Sequence, residues 1–224
     1  MGYHIDLKSI TIDEYKRKLE SSFLIPSRMV LKDKIDERFN HFNSIGIKNV
    51  HELQLMLKSK SKQIELAKNP LFSEEYLTIL FRELNSIQAK PNKLKEFIGI
   101  SNDTINKLEK EGIKDTLKLF DRVRTVESRK ELANKLGINE NEILELTKLS
   151  DLSRIKWVGA TFARVLYDAG FETLEKVSKA NYEDLHKSIV KLNKEKNLYK
   201  GHIGLNDMKI CVLAANDVPL EIEY

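Results

Sequence analysis

One short stretch of the sequence combines basic and aromatic side chains in a way that suits nucleic-acid binding. Arg154, Lys156 and Arg164 carry positive charges, and Trp157 lies between them. Guanidinium and ammonium groups neutralise phosphates, and an exposed indole can stack on an unpaired base. We therefore expect this stretch to contact a phosphate backbone or a single strand. The alternative is that Trp157 packs between repeated helical units of the chain while the cations remain solvated.

Small residues in the same stretch could bring backbone amides close to a phosphate. Gly159 and Thr161 follow Trp157 at the predicted start of a helix, where glycine leaves the N–H groups unobstructed. Gly99 occupies the place that corresponds to Trp157 in an earlier, similar stretch. The candidate nucleic-acid-binding residues are therefore Gly99, Arg154, Lys156, Trp157, Gly159, Thr161 and Arg164.

The sequence contains no recognisable catalytic or metal-binding pattern. Its five histidines are scattered, and none has a cysteine or carboxylate partner at the spacing of metal ligands. A phosphate-binding glycine loop, a dinucleotide fingerprint and a GxSxG elbow are also absent from the sequence. We therefore predict a protein that is not an enzyme, with no cofactor and no metal.

The composition favours a folded, helical protein. The 224 residues are 41% hydrophobic and 32% charged, and 9 glycines and 4 prolines are too few for many tight turns. The net charge of +4 permits contact with nucleic acid without requiring it.

The single cysteine, Cys211, fits a buried position in a reducing compartment. The first residues lack the features of a signal peptide, and no apolar run approaches the roughly 20 residues of a membrane span. We expect a cytoplasmic protein.

A three-fold internal similarity predicts how the helices are arranged. Residues 43–49, 109–115 and 167–173 each place a glycine after an amphipathic segment, then an apolar residue, and then a side chain that can cap a helix. This order is typical of a helix that ends in a left-handed glycine, followed at once by another helix. We therefore predict an all-α fold of about three related helical units. We expect the equivalent residues Ile105 and Ala163, and likewise Leu108 and Leu166, to face the core.

Breaks in the helical pattern predict four segments. Residues 1–24 form an N-terminal helix and lead-in, and we expect Thr11 and Glu14 to form a capping box at the start of that helix. Residues 25–90 form a diverged first unit. Residues 91–154 form the second unit, in which we expect Asn139 and Glu142 to form a further capping box. Residues 155–224 form the third unit, with a C-terminal helix and an extended tail.

The residues at 155–166 resemble the helix-hairpin-helix motif, in which two glycines flank an apolar residue before a helix. Gly159 matches the second glycine, but Trp157 stands where the first glycine belongs. In the second unit Gly99 matches the first glycine, whereas Ser101 replaces the second, and the first unit keeps neither. The resemblance implies phosphate binding by backbone amides, weakened in every unit by a missing glycine.

The region from Lys93 to Asn193 is also similar to an uncharacterised bacterial family of tandem, degenerate helix-hairpin-helix repeats. The stretches that carry this similarity are 129–133, 137–138, 151–156, Ala163 and 169–173. The resemblance implies a compact SAM-like fold of helices and supplies no catalytic residues.

Two functions remain open from the sequence. The first is a non-catalytic module that binds nucleic acid without sequence preference through its degenerate hairpins. The second is a protein-interaction or scaffolding module in which the hairpins are purely structural. The hairpin cations favour nucleic acid, and the missing glycines favour a protein partner.

Overall fold

The computed structural model describes residues 2–224, and all regular secondary structure in this part of the chain is helical. It contains thirteen α-helices and two short 3-10 helices, and it contains no strand. The predicted all-α class is confirmed. The helices form two compact units, one of residues 6–87 and one that joins residues 2–5 to residues 88–224. Within residues 2–224, no helix has the length and apolar character needed to cross a bilayer.

The unit of residues 6–87 has its own core of aromatic and aliphatic side chains. Phe39, Phe42 and Leu53 are fully buried there, and the helix of Val50–Lys58 packs against the helix of Glu74–Asn85. Thr11 and Glu14 form the predicted capping box at the first helix. The α-helices are α1 (Ile12–Ser21), α2 (Ile35–Ser44), α3 (Val50–Lys58), α4 (Lys60–Leu66) and α5 (Glu74–Asn85), and a 3-10 helix spans Pro26–Lys32.

The unit that contains residues 88–224 surrounds a second, separate core. The helix of Ala160–Asp168 packs against the helix of Glu140–Leu152. The helix of Leu205–Asn216 packs against those of Leu174–Ser178 and Tyr182–Lys196. Its α-helices are α6 (Asn102–Lys110), α7 (Thr116–Phe120), α8 (Val126–Leu136), α9 (Glu140–Leu152), α10 (Ala160–Asp168), α11 (Leu174–Ser178), α12 (Tyr182–Lys196) and α13 (Leu205–Asn216), and a 3-10 helix spans Leu94–Glu96.

The three similar glycines lie at helix C-termini, as predicted. Gly46, Gly112 and Gly170 follow α2, α6 and α10 with φ of 87°, 79° and 92°, a region that glycine adopts without steric cost. After each glycine, the N–H of the next residue donates to a carbonyl five residues back, at 3.0–3.1 Å. The turns are therefore locally alike, although the helix that follows has nine residues in the first case and five in the other two.

Helix α10 positions the candidate site by burying one face. Ala163 and Leu166 are fully buried, and the corresponding residues of α6, Ile105 and Leu108, are buried too. All four were predicted to face the core, and the prediction is confirmed. This packing fixes the direction in which the start of α10 points.

Candidate functional site

The connection between α9 and α10 has an unusual backbone conformation at Trp157. The Val158 N–H donates to the Ile155 carbonyl at 3.0 Å, and Trp157 has φ of 66°, in the left-handed region. This conformation costs an L-residue about 1–2 kcal/mol, and a bulky side chain there is a genuine outlier. Gly99, the predicted counterpart of Trp157, is also left-handed, with φ of 92°. The two places therefore share a backbone conformation although one is occupied by tryptophan.

The Trp157 side chain is half-exposed, with 50% of its surface accessible. The Lys156 ammonium lies 4.6 Å from the centre of the indole ring, within the range of a cation–π contact. Gly159 is the N-cap of α10 and offers no side-chain cap, and Thr161 lies half-buried in the first turn. Since the first N–H groups of a helix have no partner inside the helix, α10 begins with donors directed away from its own backbone.

The corresponding start of α6 is closed by a carboxylate from the same unit. Glu142 accepts a hydrogen bond from the Ser101 N–H at 2.6 Å and another from the Thr104 hydroxyl at 2.7 Å. Burial opposes ionisation of Glu142, but these hydrogen bonds outweigh it and lower the pKa of the carboxyl. The Glu142 carboxylate thus occupies the start of α6, whereas the start of α10 has no side-chain cap.

The position of Glu142 corrects one sequence prediction. Asn139 and Glu142 were expected to form a capping box at α9. Asn139 does cap α9, by accepting from the Asn141 N–H at 2.8 Å. Glu142 instead reaches α6, because the Ser101 and Thr104 donors lie within its range.

Arg164 is buried and bonded inside the fold. Its guanidinium donates to the Ile98 carbonyl at 2.8 Å, pairs with Glu145, and pairs with Asp168 at 3.2 Å. A Cβ at Gly99 would lie 2.7 Å from Arg164 Nη2. Gly99 therefore makes room for this arginine in addition to adopting a positive φ.

Arg154 is also buried, and it connects three parts of its unit. It pairs with Asp151 at 2.6 Å and donates to the carbonyls of Tyr3 and Pro219, each at 3.2 Å. The Tyr224 hydroxyl donates to the same Asp151 carboxylate at 3.0 Å. The donors of Arg154 are thus used to secure residues 2–5 and the C-terminal segment.

The three cations that the sequence predicted to act together therefore lie in different surroundings. Arg154 and Arg164 are 3% and 7% exposed, and their charges are compensated within the fold. Lys156, Trp157, Gly159 and Thr161 instead lie together around a cavity. The sequence did not indicate the burial of the arginines, because partners such as Tyr3 and Ile98 are far away along the chain.

The cavity has a volume of about 540 Å³ and is bounded by the hairpin, the start of α10, residues 199–203 and α13. Its exposed lining includes Glu96, Trp157 and His202, and its buried lining includes Met208 and Cys211. Burial raises the pKa of the Cys211 thiol to about 12, so the thiol is neutral and unreactive near pH 7. The remaining lining residues are Lys156, Val158, Gly159, Ala160, Thr161, Phe162, Tyr199, Ile203, Asp207 and Ile210.

The wall formed by residues 199–203 is fixed by α12. Asn193 exchanges two hydrogen bonds of 2.8 Å with the Tyr199 backbone, and the His186 ring is 3.0 Å from the Ile203 carbonyl. The Tyr199 ring meets Phe162 edge to face, with 5.3 Å between centroids. The sequence prediction of the site did not include these side chains, since no local pattern links residues 199–203 to α10.

No group of three or more His, Cys, Asp or Glu side chains within residues 2–224 is arranged to bind a metal ion. The cavity is lined by hydrogen-bond donors, aromatic surfaces and one lysine, and it is partly open to solvent. This arrangement is suited to binding.

The comparisons with known proteins assign the chain to a family. Residues 98–217, more than half of the chain, match the family described as "Domain of unknown function (DUF4332)". No curated protein and no solved structure is significantly similar to the chain. The matched region includes the hairpin, α10 and all but one of the residues that line the cavity. The chain belongs to the DUF4332 family.

Proposed function

We propose that this protein is a non-catalytic module that binds single-stranded nucleic acid without sequence preference, through the hairpin of residues 155–161. The observation that carries the proposal is Trp157, a half-exposed indole on a left-handed backbone at the mouth of a cavity. Residues in such conformations cluster at binding sites, where the local strain serves function. An indole exposed in this way offers a stacking surface to any unpaired base.

The start of α10 and Lys156 supply the phosphate contacts in this proposal. N–H groups at a helix N-terminus attract anions, and α10 has no side-chain cap. The α6 start supports this assignment, because Glu142 places a carboxylate there. A strand is favoured over a duplex, because the bases of a duplex are already stacked on each other.

The proposed binding mode goes together with a proposal about the kind of helical repeat within the all-α fold. We propose that the units are tandem, degenerate helix-hairpin-helix repeats of SAM-like fold. The left-handed positions at Gly99 and Trp157 and the three similar glycine turns support this assignment. Backbone pairing adds to it, because the isolated bridge Thr11–Asn49 has a counterpart in Lys93–Asp115. The single cysteine supports a cytoplasmic location.

Fluorescence anisotropy with a labelled single strand and a labelled duplex, across a salt series, tests the function. We expect weak binding that prefers the single strand and weakens steeply with salt, because phosphate neutralisation releases counterions. Lys156→Ala should reduce the slope of log affinity against log salt by about 0.7, the value for one lost contact to a single strand. Trp157→Ala should weaken binding with little change in that slope.

Lys60→Ala is the matched control, since Lys60 is an exposed lysine of the other unit. It should leave both affinity and slope unchanged. The proposal fails if neither nucleic acid binds at low salt, or if Lys156→Ala and Trp157→Ala bind like the unchanged protein. Either result would transfer the assignment to a protein-interaction module.

A further inference from the structure

We infer that the cavity beside Trp157 receives one nucleobase of the bound strand, turned out of its stack, while the adjoining phosphate stays at the hairpin. This inference rests on the proposed function and adds the part of the ligand that enters the protein. It also assigns a role to side chains from α13 and residues 199–203, which the hairpin alone does not use.

The size and lining of the cavity support a heterocycle as its occupant. Its volume of about 540 Å³ falls in the range of roughly 300–1,000 Å³ that is usual for ligand sites. The buried lining is apolar, with Val158, Met208 and Ile210 among its members. Phe162 and Tyr199 add aromatic surface. A flat ring can therefore be enclosed by apolar contacts on its faces.

Polar groups are also present in the lining. Thr161 and His202 can exchange hydrogen bonds with the edge of a ring. Asp207 is partly used, because its carboxylate accepts the Gly204 N–H at 2.9 Å. A few polar groups in an apolar cavity suit a heterocycle better than a hydrocarbon chain.

The charges around the cavity determine which part of a nucleotide enters. Glu96 and Asp207 contribute two carboxylates to the lining, against one ammonium from Lys156. A phosphate inside the cavity would be repelled by these carboxylates. A base is neutral and avoids this cost, so the base occupies the cavity and the phosphate remains outside, near Lys156 and the start of α10.

Intrinsic fluorescence gives a direct test with the full chain, because Trp157 is its single tryptophan. The probes are a short oligothymidylate and the same strand with abasic sites in place of its central bases. We expect the oligothymidylate to change the Trp157 emission. It should also bind at least about fivefold more tightly than the abasic strand, which is the lower bound for one stacked base. The abasic strand should keep the same salt dependence, since its phosphates are intact.

Cys211→Met tests the cavity itself by adding volume to its buried wall. Its affinity for oligothymidylate should fall towards the affinity of the unchanged protein for the abasic strand, with the salt slope preserved. Leu213→Met on the exposed side of α13 is the control and should bind normally. If Cys211→Met does not fold, Thr161→Val removes a lining hydroxyl at almost unchanged volume. Base insertion predicts weaker binding of the oligothymidylate and unchanged binding of the abasic strand, whereas stacking on Trp157 alone predicts no change with either strand.

The outcomes separate this inference from the proposed function. Equal affinity for the two strands, with steep salt dependence, would overturn base insertion and leave phosphate binding at the hairpin intact. Absence of binding to both strands would overturn both.

Discussion

At the scale of single residues, Trp157 combines a backbone cost with an exposed side chain. Its φ of 66° is one that glycine adopts freely, and half of its surface is accessible to solvent. A residue selected only for stability would reduce both the strain and the exposed apolar area. Trp157 is therefore the position at which stability and function can be separated by substitution.

Trp157→Gly should bind nucleic acid poorly and yet be more stable than Trp157→Ala. Both variants lack the indole, but only glycine relieves the left-handed strain, so we expect a difference in unfolding free energy of about 1 kcal/mol. Urea denaturation followed by circular dichroism measures it. Lys34→Gly is the control, because Lys34 also has a positive φ, of 46°, and it should gain stability without affecting binding. Equal stability of the two Trp157 variants would contradict the strain argument.

Glu96 is predicted to weaken binding in the unchanged protein. Its carboxylate lines the cavity and lies in the field of any phosphate held at the hairpin. Glu96→Gln should therefore tighten binding of a single strand by up to about fivefold at low salt, and the gain should vanish at high salt. Glu74→Gln, in the other unit, should have no effect in the same anisotropy titration. Weaker binding by Glu96→Gln would show that the carboxylate contacts the ligand favourably.

At the scale of elements, the local signals were the ones that the sequence predicted correctly. The glycine turns and the Thr11 capping box involve residues within five positions of each other, so composition and spacing determine them. The burial of Arg154 and Arg164 depends on partners from separate elements, such as Tyr3 and Glu145. The cavity depends on the packing of α10 against residues 199–211. Such contacts leave no periodic trace in the sequence.

The carboxylate at the start of α6 predicts a pH dependence of stability. The lowered pKa of Glu142 means that ionisation favours the folded state. Its contribution is present above the unfolded pKa of about 4.3 and is lost as the pH falls through the lower folded value. Glu142→Gln should cost about 0.5–2 kcal/mol at pH 7, as for loss of a helix cap, and progressively less below pH 4. Glu140→Gln, next to it on α9, is the control for urea denaturation at several pH values. A cost that does not change with pH would exclude this role for the charge.

At the scale of the whole molecule, the described residues contain two separate hydrophobic cores. One is built from residues 7–84 and the other from residues 94–218. Each unit can therefore respond to a core mutation by itself, and a single unfolding free energy describes the chain only if the two units unfold together.

Leu166→Ala tests the second core. The side chain is fully buried, so its truncation should cost the unit of residues 88–224 about 2–5 kcal/mol. Hydrogen exchange read by mass spectrometry should show faster exchange in α9 and α10 and unchanged protection in α3 and α5. Leu213→Ala, at a side chain that is 46% exposed, should cost less than about 0.5 kcal/mol. A similarly small loss for Leu166→Ala would mean that the α10 face is misassigned.

The connection of Arg154 to Tyr3 and Pro219 has a consequence for the order of events during synthesis. Residues 2–5 leave the ribosome before the unit of residues 6–87, yet their partners Thr116 and Arg154 are made only after that unit is complete. Domains generally fold as units while the chain grows. Residues 2–5 therefore have no folded partner to pack against while residues 6–87 form their core. Arg154 then makes all of these contacts only after Pro219 has emerged, so residue 219 completes the set of hydrogen bonds to which Tyr3 contributes.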